Sequence, residues 1–321
     1  MTSCASVAHD RSLRSSSSIT EIDPDRKAPM TDTFVSAELA SQPDTWRAAA
    51  ALLPDFADAL PRAGERVAVV GCGTSWFIAM SYAVARERAG LGVTDAFAGS
   101  EYPSTREYDR VVTISRSGTT TEIVDLLRAL PGQRTVLITA VPDSPAAAVA
   151  DDVVALPFAD ERSVVQTRFA TTTLALLRAS IGDDVDVLAA QAEVALALPI
   201  DDLLDAEQVT FVGRGPAVGL TYEAALKTRE AAQFWAESYP AMDYRHGPIA
   251  IAQPGRLVWS LGTAPDGLAA EVATTGARFV QHDLDPLAGL VVVHRFAVAL
   301  AEGRGLDPDN PRSLTRSVIL T

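Results

Sequence analysis

The chain has 321 residues, 48% of them hydrophobic, and a formal net charge of -14. At roughly 100 to 200 residues per domain, that length has room for about two domains. The excess of 41 Asp+Glu over 27 Lys+Arg repels phosphate backbones and anionic lipid surfaces, so neither nucleic acid nor membrane is expected as a partner. Any anionic ligand must then be held by local groups. Cys4 and Cys72 lie far apart with no Cys/His cluster, so no disulfide framework and no metal site are expected, and a reducing, cytoplasmic setting is. Only Lys27 and Lys227 are lysines, which makes a lysine in the folded body stand out against an arginine background.

Residues 1–33 contain Ser15 to Ser18, Pro24 and Pro29 without apolar periodicity; they are read as a disordered tail, with Met30 as a second candidate start. No apolar run of signal-peptide or membrane-spanning length is expected, because the Ala/Val/Leu runs are short and interrupted by charge. Apolar positions from Leu39 to Phe56 predict two helices between Phe34 and Pro61. Val67 to Val70 predicts a buried strand that runs into Gly71-Cys72-Gly73-Thr74-Ser75 and a helix over Trp76 to Arg88. Strands follow at Thr94 to Ala98 and Arg110 to Ile114; the second leads into Ser115-Arg116-Ser117-Gly118-Thr119-Thr120 and a helix to Leu130. Thr135 to Thr139 and Val153 to Leu156 read as strands, with a helix across Ala146 to Ala150 between them. Helices over Thr167 to Ile181 and Val185 to Leu198 complete this half.

At Asp201 the pattern restarts. Val209 to Val212 predicts a strand leading into Gly213-Arg214-Gly215-Pro216 and a helix from Ala217 to about Trp235. Leu257 to Leu261 and Arg278 to His282 read as strands and Leu287 to Glu302 as a last helix. Apolar strands alternating with helices imply an α/β protein with parallel sheets flanked by helices on both faces, each unit a three-layer sandwich of flavodoxin-like or Rossmann-like kind. The expected boundaries are 34–182 for the N-terminal helices and first unit, 183–205 for a helical linker, 206–304 for the second unit and 305–321 for a C-terminal tail.

In open parallel sheets, ligands bind beyond the carboxyl ends of the strands, where turns lead into helix N-termini. Ser75, Ser115, Ser117 and Thr120 offer hydroxyls there, and Gly71, Gly73 and Gly118 let the backbone approach closely. The blander explanation is that these hydroxyls are helix caps; two such turns in one unit favour a phosphate cradle. A dinucleotide is disfavoured, because Trp76 and Val218 stand where third glycines would fall. Further on, Glu223, Lys227 and Glu230 share a helix face, and His246 sits in a Gly-Pro turn. A solvated ion-pair face and a lone surface histidine are the ordinary reading; a carboxylate, an ammonium and an imidazole near a phosphate cradle also make an acid/base set.

The ordered series Glu38-Leu-Ala-Ser-Gln-Pro43, Gly71-Cys-Gly-Thr-Ser75, Ile114-Ser-Arg-Ser-Gly-Thr-Thr120, Val165-Gln-Thr-Arg168, Glu223 to Glu230, His246-Gly-Pro248 and Gly305 to Ser317 resembles the double-SIS (sugar isomerase) family. It is most similar to the isomerase half of the glutamine:fructose-6-phosphate amidotransferases (glucosamine-6-phosphate synthases). The resemblance implies two tandem SIS-type units and a sugar phosphate substrate, with neither cofactor nor metal. It places Ser75, Ser115, Ser117 and Thr120 on phosphate-binding positions with Arg116 beside them, and Gly73, Thr74, Gly118, Val164 and Arg316 on substrate-binding positions. Glu230 falls on the base that shuttles a proton between C1 and C2, Lys227 on its helix-mate, and His246 on a ring-opening histidine supplied by the partner subunit. A homodimer with a shared active site, closed by the C-terminal tail, is therefore implied.

Three departures qualify the resemblance. No glutaminase domain follows Cys4, so glutamine-fed synthesis is not expected of this chain alone. Arg316 stands where the synthases carry a ketose-handling lysine, and a guanidinium cannot form a Schiff base. Arg116 replaces a glutamine and is expected to add positive charge beside the phosphate. The expected activity is an aldose-ketose isomerase or isomerising aminosugar-phosphate deaminase acting on a hexose or hexosamine 6-phosphate. The alternative is a non-catalytic phosphosugar sensor.

Overall fold

The computed structural model describes Met1 and residues 33–320; Cys4, Lys27 and nearly all of the stretch read as a tail lie outside the described residues. Five strands, β1 (Val67–Gly71), β2 (Thr94–Ala98), β3 (Arg110–Ile114), β4 (Thr135–Thr139) and β5 (Asp152–Ala155), form an all-parallel sheet in the order β2-β1-β3-β4-β5. Four more, β6 (Gln208–Gly213), β7 (Ala236–Pro240), β8 (Arg256–Leu261) and β9 (Arg278–Gln281), form a second parallel sheet in the order β7-β6-β8-β9. The central strands β1, β3, β4 and β6 are buried throughout, as Val/Ile-rich parallel strands covered on both faces must be.

Period-two alternation sorts the side chains of the first sheet into two cores. Val67, Val69, Val112, Ile114, Val136 and Ile138 face a large core, which continues through α4 (Thr74–Arg88), α6 (Arg168–Ala179) and α7 (Val185–Ala197) to Val209, Phe211 and Trp259 of the second sheet. Ala68, Val70, Val111 and Leu137 face the other way, onto Ile123, Val124 and Leu127 of α5 (Thr121–Arg128). In the second sheet Val212 and Val258 pack on Leu268 and Val272 of α9 (Leu268–Thr274).

The two halves meet where α4 packs on α8 (Ala217–Ala232). A Cβ on Gly219 would lie 2.4 Å from the Phe77 carbonyl oxygen, so this crossing requires glycine. α8 also packs on α10 (Pro286–Gly303). The expectation of no membrane-length apolar run does not hold for α10, whose 18 residues reach a mean hydropathy of 1.4. Its side chains from Leu287 to Val293 are buried against the core, as in an interior helix.

Other differences from expectation have local causes. The N-terminal segment folds as three short helices, α1 (Phe34–Ala40), α2 (Gln42–Ala51) and α3 (Leu53–Phe56), the last two each opening with a proline in the first turn. Ala146 to Ala150 forms turns and no helix: the stretch is too short to sustain one, and the Asp151 carboxylate draws the chain back by accepting bonds from the Thr135 backbone N–H and hydroxyl, both 2.8 Å. α8 stops at Ala232 because Gln233 turns left-handed (φ 50), and β7 follows as a half-exposed edge strand whose polar residues hid it from the pattern. α9 was likewise unforeseen.

Candidate functional site

The order β2-β1-β3 reverses direction between β1 and β3, the switch point at which open α/β sheets leave a crevice at the strand ends. Gly71 pairs with Ile114 at the ends of these strands, so the turns Cys72–Ser75 and Ser115–Thr120 emerge side by side. Gly118 has φ 61, and a Cβ there would come 1.9 Å from Ser144 Oγ, so only glycine closes the second turn. Inside it, Ser115 Oγ accepts from the Gly118 N–H at 3.2 Å. Ser117 Oγ accepts from the Thr119 N–H at 3.2 Å and the Thr119 hydroxyl at 2.8 Å. Both serine hydroxyls thus serve the loop as acceptors, which leaves their protons to donate outward. The N-termini of α4 and α5 flank them and favour negative charge.

The charge expected from Arg116 is matched within the protein. Arg116 is 3% exposed; its guanidinium donates to the Ser163 and Arg316 carbonyls at 3.0 and 3.2 Å and lies 3.7 Å from the Glu161 carboxylate. Burial holds its pKa below the ordinary value, with Glu161 opposing. Glu161 in turn caps the start of α6, accepting from the backbone N–H groups of Thr167, Arg168 and Phe169 at 2.7, 2.7 and 3.1 Å. Arg316 binds the Asp160 carboxylate and the Glu161 carbonyl, fastening the C-terminal segment to the same loop. Nearby, burial pushes the Glu38 carboxyl up to about 7, and its Oε2 has no hydrogen-bond partner.

The second half contributes through α8. Leu220, Glu223, Ala224, Lys227 and Ala231 recur at helical spacing on its buried face. Lys227 is 2% exposed, and its ammonium lies 3.7 Å from Glu223 Oε1 and bonds Glu230 Oε2. Burial alone would depress its pKa; the two carboxylates outweigh that and hold it above the usual lysine value. Glu223 is fully buried with neither oxygen hydrogen-bonded, and desolvation, offset in part by Lys227, pushes its carboxyl up to about 7. Behind them on α10, His294 is buried and driven down to about 3 by burial and then by the Lys227 charge, so it is neutral.

These elements enclose a cavity of about 210 Å³. Gly73, Thr74, Ser75, Ser115, Arg116, Ser117, Thr120, Val164, Lys227, Glu230 and Arg316 all line it. Gly118 does not line it but shapes its turn, and His246 is exposed in the 3-10 turn Asp243–His246, away from it. Gln166, Leu314, Thr315, Ser317 and Val318, none of them singled out individually from the sequence, close the remaining walls beside Arg316, where the C-terminal tail was expected to close the site. That segment is held by Thr121 N–H to the Val318 carbonyl (3.2 Å) and by Thr119 Oγ1 to Ser317 Oγ (2.9 Å). Every cation on the wall is paired, so an anion entering here meets hydroxyls and helix N-termini. Among the described residues no three His, Cys, Asp or Glu side chains gather as a metal-binding group.

Residues 60–181 match the SIS domain family. The isomerizing glutamine-fructose-6-phosphate aminotransferase of Sulfurisphaera tokodaii is 27% identical over 294 residues, covering 79% of this chain and 50% of that protein. The enzyme of the same name from Xanthomonas campestris is 29% identical over 357 residues, covering 89% of this chain and 58% of its own. The chain spans about half the length of the curated relatives it matches. In fold it is similar to glucosamine-6-phosphate deaminase from Thermotoga maritima, with a TM-score of 0.76 and 23% identity over 90% of this chain and 100% of that one. The C-terminal domain of glucosamine-fructose-6-phosphate aminotransferase from Francisella tularensis gives a TM-score of 0.74 at 21% identity, covering 89% of this chain and 100% of that one.

Proposed function

This chain is a SIS-domain protein similar to the isomerase half of glutamine-fructose-6-phosphate aminotransferases, and on that premise we propose that it is a sugar-phosphate isomerase or an isomerising aminosugar-phosphate deaminase. One observation carries the reading: Lys227 and Glu230 of α8 line the same cavity as the hydroxyl-bearing turns after β1 and β3. The phosphate of a hexose or hexosamine 6-phosphate docks on Ser75, Ser115, Ser117 and Thr120 at the N-termini of α4 and α5. Glu230 takes a proton from the carbon alpha to the carbonyl or imine and returns it to the neighbouring carbon. Lys227, fixed between Glu223 and Glu230, supplies positive charge where the enediol or enaminol develops negative charge. His246, exposed in its own chain, opens the sugar ring in the site of a second copy, which makes the active form a homodimer.

Arg316 supplies no Schiff base; its guanidinium holds the C-terminal segment across the cavity through Asp160 and Glu161. Arg116 acts through position, tying that segment and the Ser163 loop to the phosphate turn. A sensor would need the hydroxyls and helix ends alone. Keeping Glu223 and Lys227 in the interior, with the half-buried Glu230 beside them on the cavity wall, costs several kcal/mol of desolvation per buried ion, which favours a chemical role for the set. The test is Glu230→Gln assayed on glucosamine 6-phosphate, galactosamine 6-phosphate and fructose 6-phosphate for ammonia and for aldose-ketose exchange. Turnover should vanish while phosphosugar binding persists; unchanged turnover in the variant refutes the mechanism, and binding without conversion by the wild type refutes the enzyme.

A further inference from the structure

Neither the phosphate turns nor the acid/base set on α8 makes use of Glu38. It is the one charged residue of α1 and is 5% exposed. Its Oε1 accepts from the backbone N–H of Arg162 and, at 3.5 Å, from that of Ser163, while Oε2 is buried without a hydrogen-bond partner. A buried carboxyl satisfied on one oxygen only is far costlier ionised than protonated.

What Glu38 grips is a wall of the cavity. Residues 160–167 run from these two N–H groups to Val164 and Gln166, both of which line it. The Ser163 carbonyl accepts from Arg116 at 3.0 Å, and the Val164 N–H donates to the Asp309 carbonyl at 3.0 Å. Asp309 completes a ring back to α1, its carboxylate accepting from the Phe34 and Val35 N–H groups, both at 2.8 Å. The Arg162 guanidinium lies 3.7 Å from the centre of the Phe34 ring. Helix α1, the wall loop and the C-terminal segment therefore hold one another, with Glu38 buried where α1 meets the loop.

The charges around it come chiefly from the loop. Burial pushes the Glu38 carboxyl up to about 7; the Arg162 N–H opposes this, Glu161 adds to it, and Arg168 and the Ser163 N–H oppose it again. Arg116 also feels the Glu38 charge but lies 3.7 Å from Glu161, and Arg316 is bonded to Asp160. Of the helices packed on α1, α2 turns Arg47 toward Asp44, Asp186 and Glu193. On α10, His294 is neutral and Arg295 is bonded to the Ala195 and Leu198 carbonyls.

We propose that Glu38 is a positioning residue of the cavity: protonated, it keeps residues 160–167 and the C-terminal segment closed on the site, and ionised, it favours their release. The proposed phosphosugar site enters only as the identity of what the cavity holds. An opening that exposes the carboxyl returns it to its ordinary value near 4.5, so opening releases a proton between that pH and about 7. The closed arrangement is thus favoured in full below about pH 4.5, loses ground as the pH rises to about 7, and changes no further above it.

Hydrogen exchange of the backbone amides, corrected for the intrinsic rate and followed from pH 5 to pH 8, tests this in the wild type and Glu38→Gln. The ratio of their opening constants, wild type over variant, should rise in segments 160–167 and 307–318 by up to about tenfold per pH unit toward pH 7, then level off. These amides should exchange faster than those of β4, by local opening. A ratio independent of pH, or exchange only together with β4, overturns the inference. Should Glu38→Gln fail to fold, Glu38→Met serves the same comparison, since it neither titrates nor buries an unpaired polar atom. Saturating fructose 6-phosphate should slow the exchange of 160–167 in both proteins; ligand bound by calorimetry without that effect overturns the link between Glu38 and the site. Absence of binding in both would refute the phosphosugar reading alone, and the exchange ratio would still decide the role of Glu38.

Discussion

Lys227 is the residue on which the two halves of the chemistry converge, and its burial sets the consequences of changing it. Lys227→Met removes the one charge that compensates Glu223, which is fully buried without a hydrogen bond, and Glu230. Breaking a buried pair from one side costs about 3 to 5 kcal/mol, so chemical denaturation should show a loss of that order, with activity abolished. Glu223 makes a further prediction with a definite sign. Its carboxyl is raised to about 7 in the folded protein from an unfolded value near 4.5, so the native state holds the extra proton between these two values. Its contribution to stability is fully present below about pH 4.5 and is lost as the pH rises through about 7. Stability measured from pH 5 to pH 8 should therefore shift in favour of Glu223→Gln relative to the wild type as pH rises; a gap independent of pH contradicts the assignment. Lys227 was legible in the sequence as the odd lysine, and its helical spacing to Glu223 and Glu230 followed from 3.6 residues per turn. That Arg116 is matched by Glu161 was not legible, because those residues are brought together only by the loop before α6.

At the scale of elements, the crossing of α4 and α8 decides whether a phosphate site becomes an acid/base site. Ser75 sits at the start of one helix and Glu230 near the end of the other, and Leu226 Cδ2 lies 3.9 Å from where a Gly73 Cβ would be. Gly219→Val forces a side chain into the Phe77 backbone. Overpacking of this kind costs about 1 to 3 kcal/mol, and kcat should fall in the fraction that remains folded, because Lys227 and Glu230 move with the helix. A variant with wild-type Tm and kcat would show that the crossing does not set the site. The strands and turns that build the phosphate side were legible because their signals are local: uninterrupted apolar runs ending in Gly/Ser/Thr turns. β7 was not, since an edge strand reading Ala236-Glu-Ser-Tyr-Pro240 lacks that run. The wall from Leu314 to Val318 was anticipated, through the family resemblance alone, as a tail closing the site; its carbonyl and hydroxyl contacts to the start of α5 depend on long-range packing that no local pattern encodes.

For the whole molecule, the single chain brings together the phosphate turns, Lys227 and Glu230 but leaves His246 exposed and outside the cavity. The proposed homodimer resolves this by exchange of His246 between copies, and complementation tests it. Glu230→Gln and His246→Asn, each inactive alone, should regain about a quarter of wild-type activity when unfolded together and refolded as a mixture, since half of the dimers are mixed and each carries one intact site. Recovery of nothing from a mixture shown to contain mixed dimers would place His246 outside the shared site. The central claim, that Glu230 from the second half moves a proton on a sugar phosphate held by the first, is tested most directly by solvent exchange in D2O. With the hexosamine and hexose 6-phosphates as substrates, the wild type should wash deuterium into C1 or C2 of those it turns over. Glu230→Gln should bind the same compounds and incorporate none. Exchange at the wild-type rate in Glu230→Gln would contradict the account.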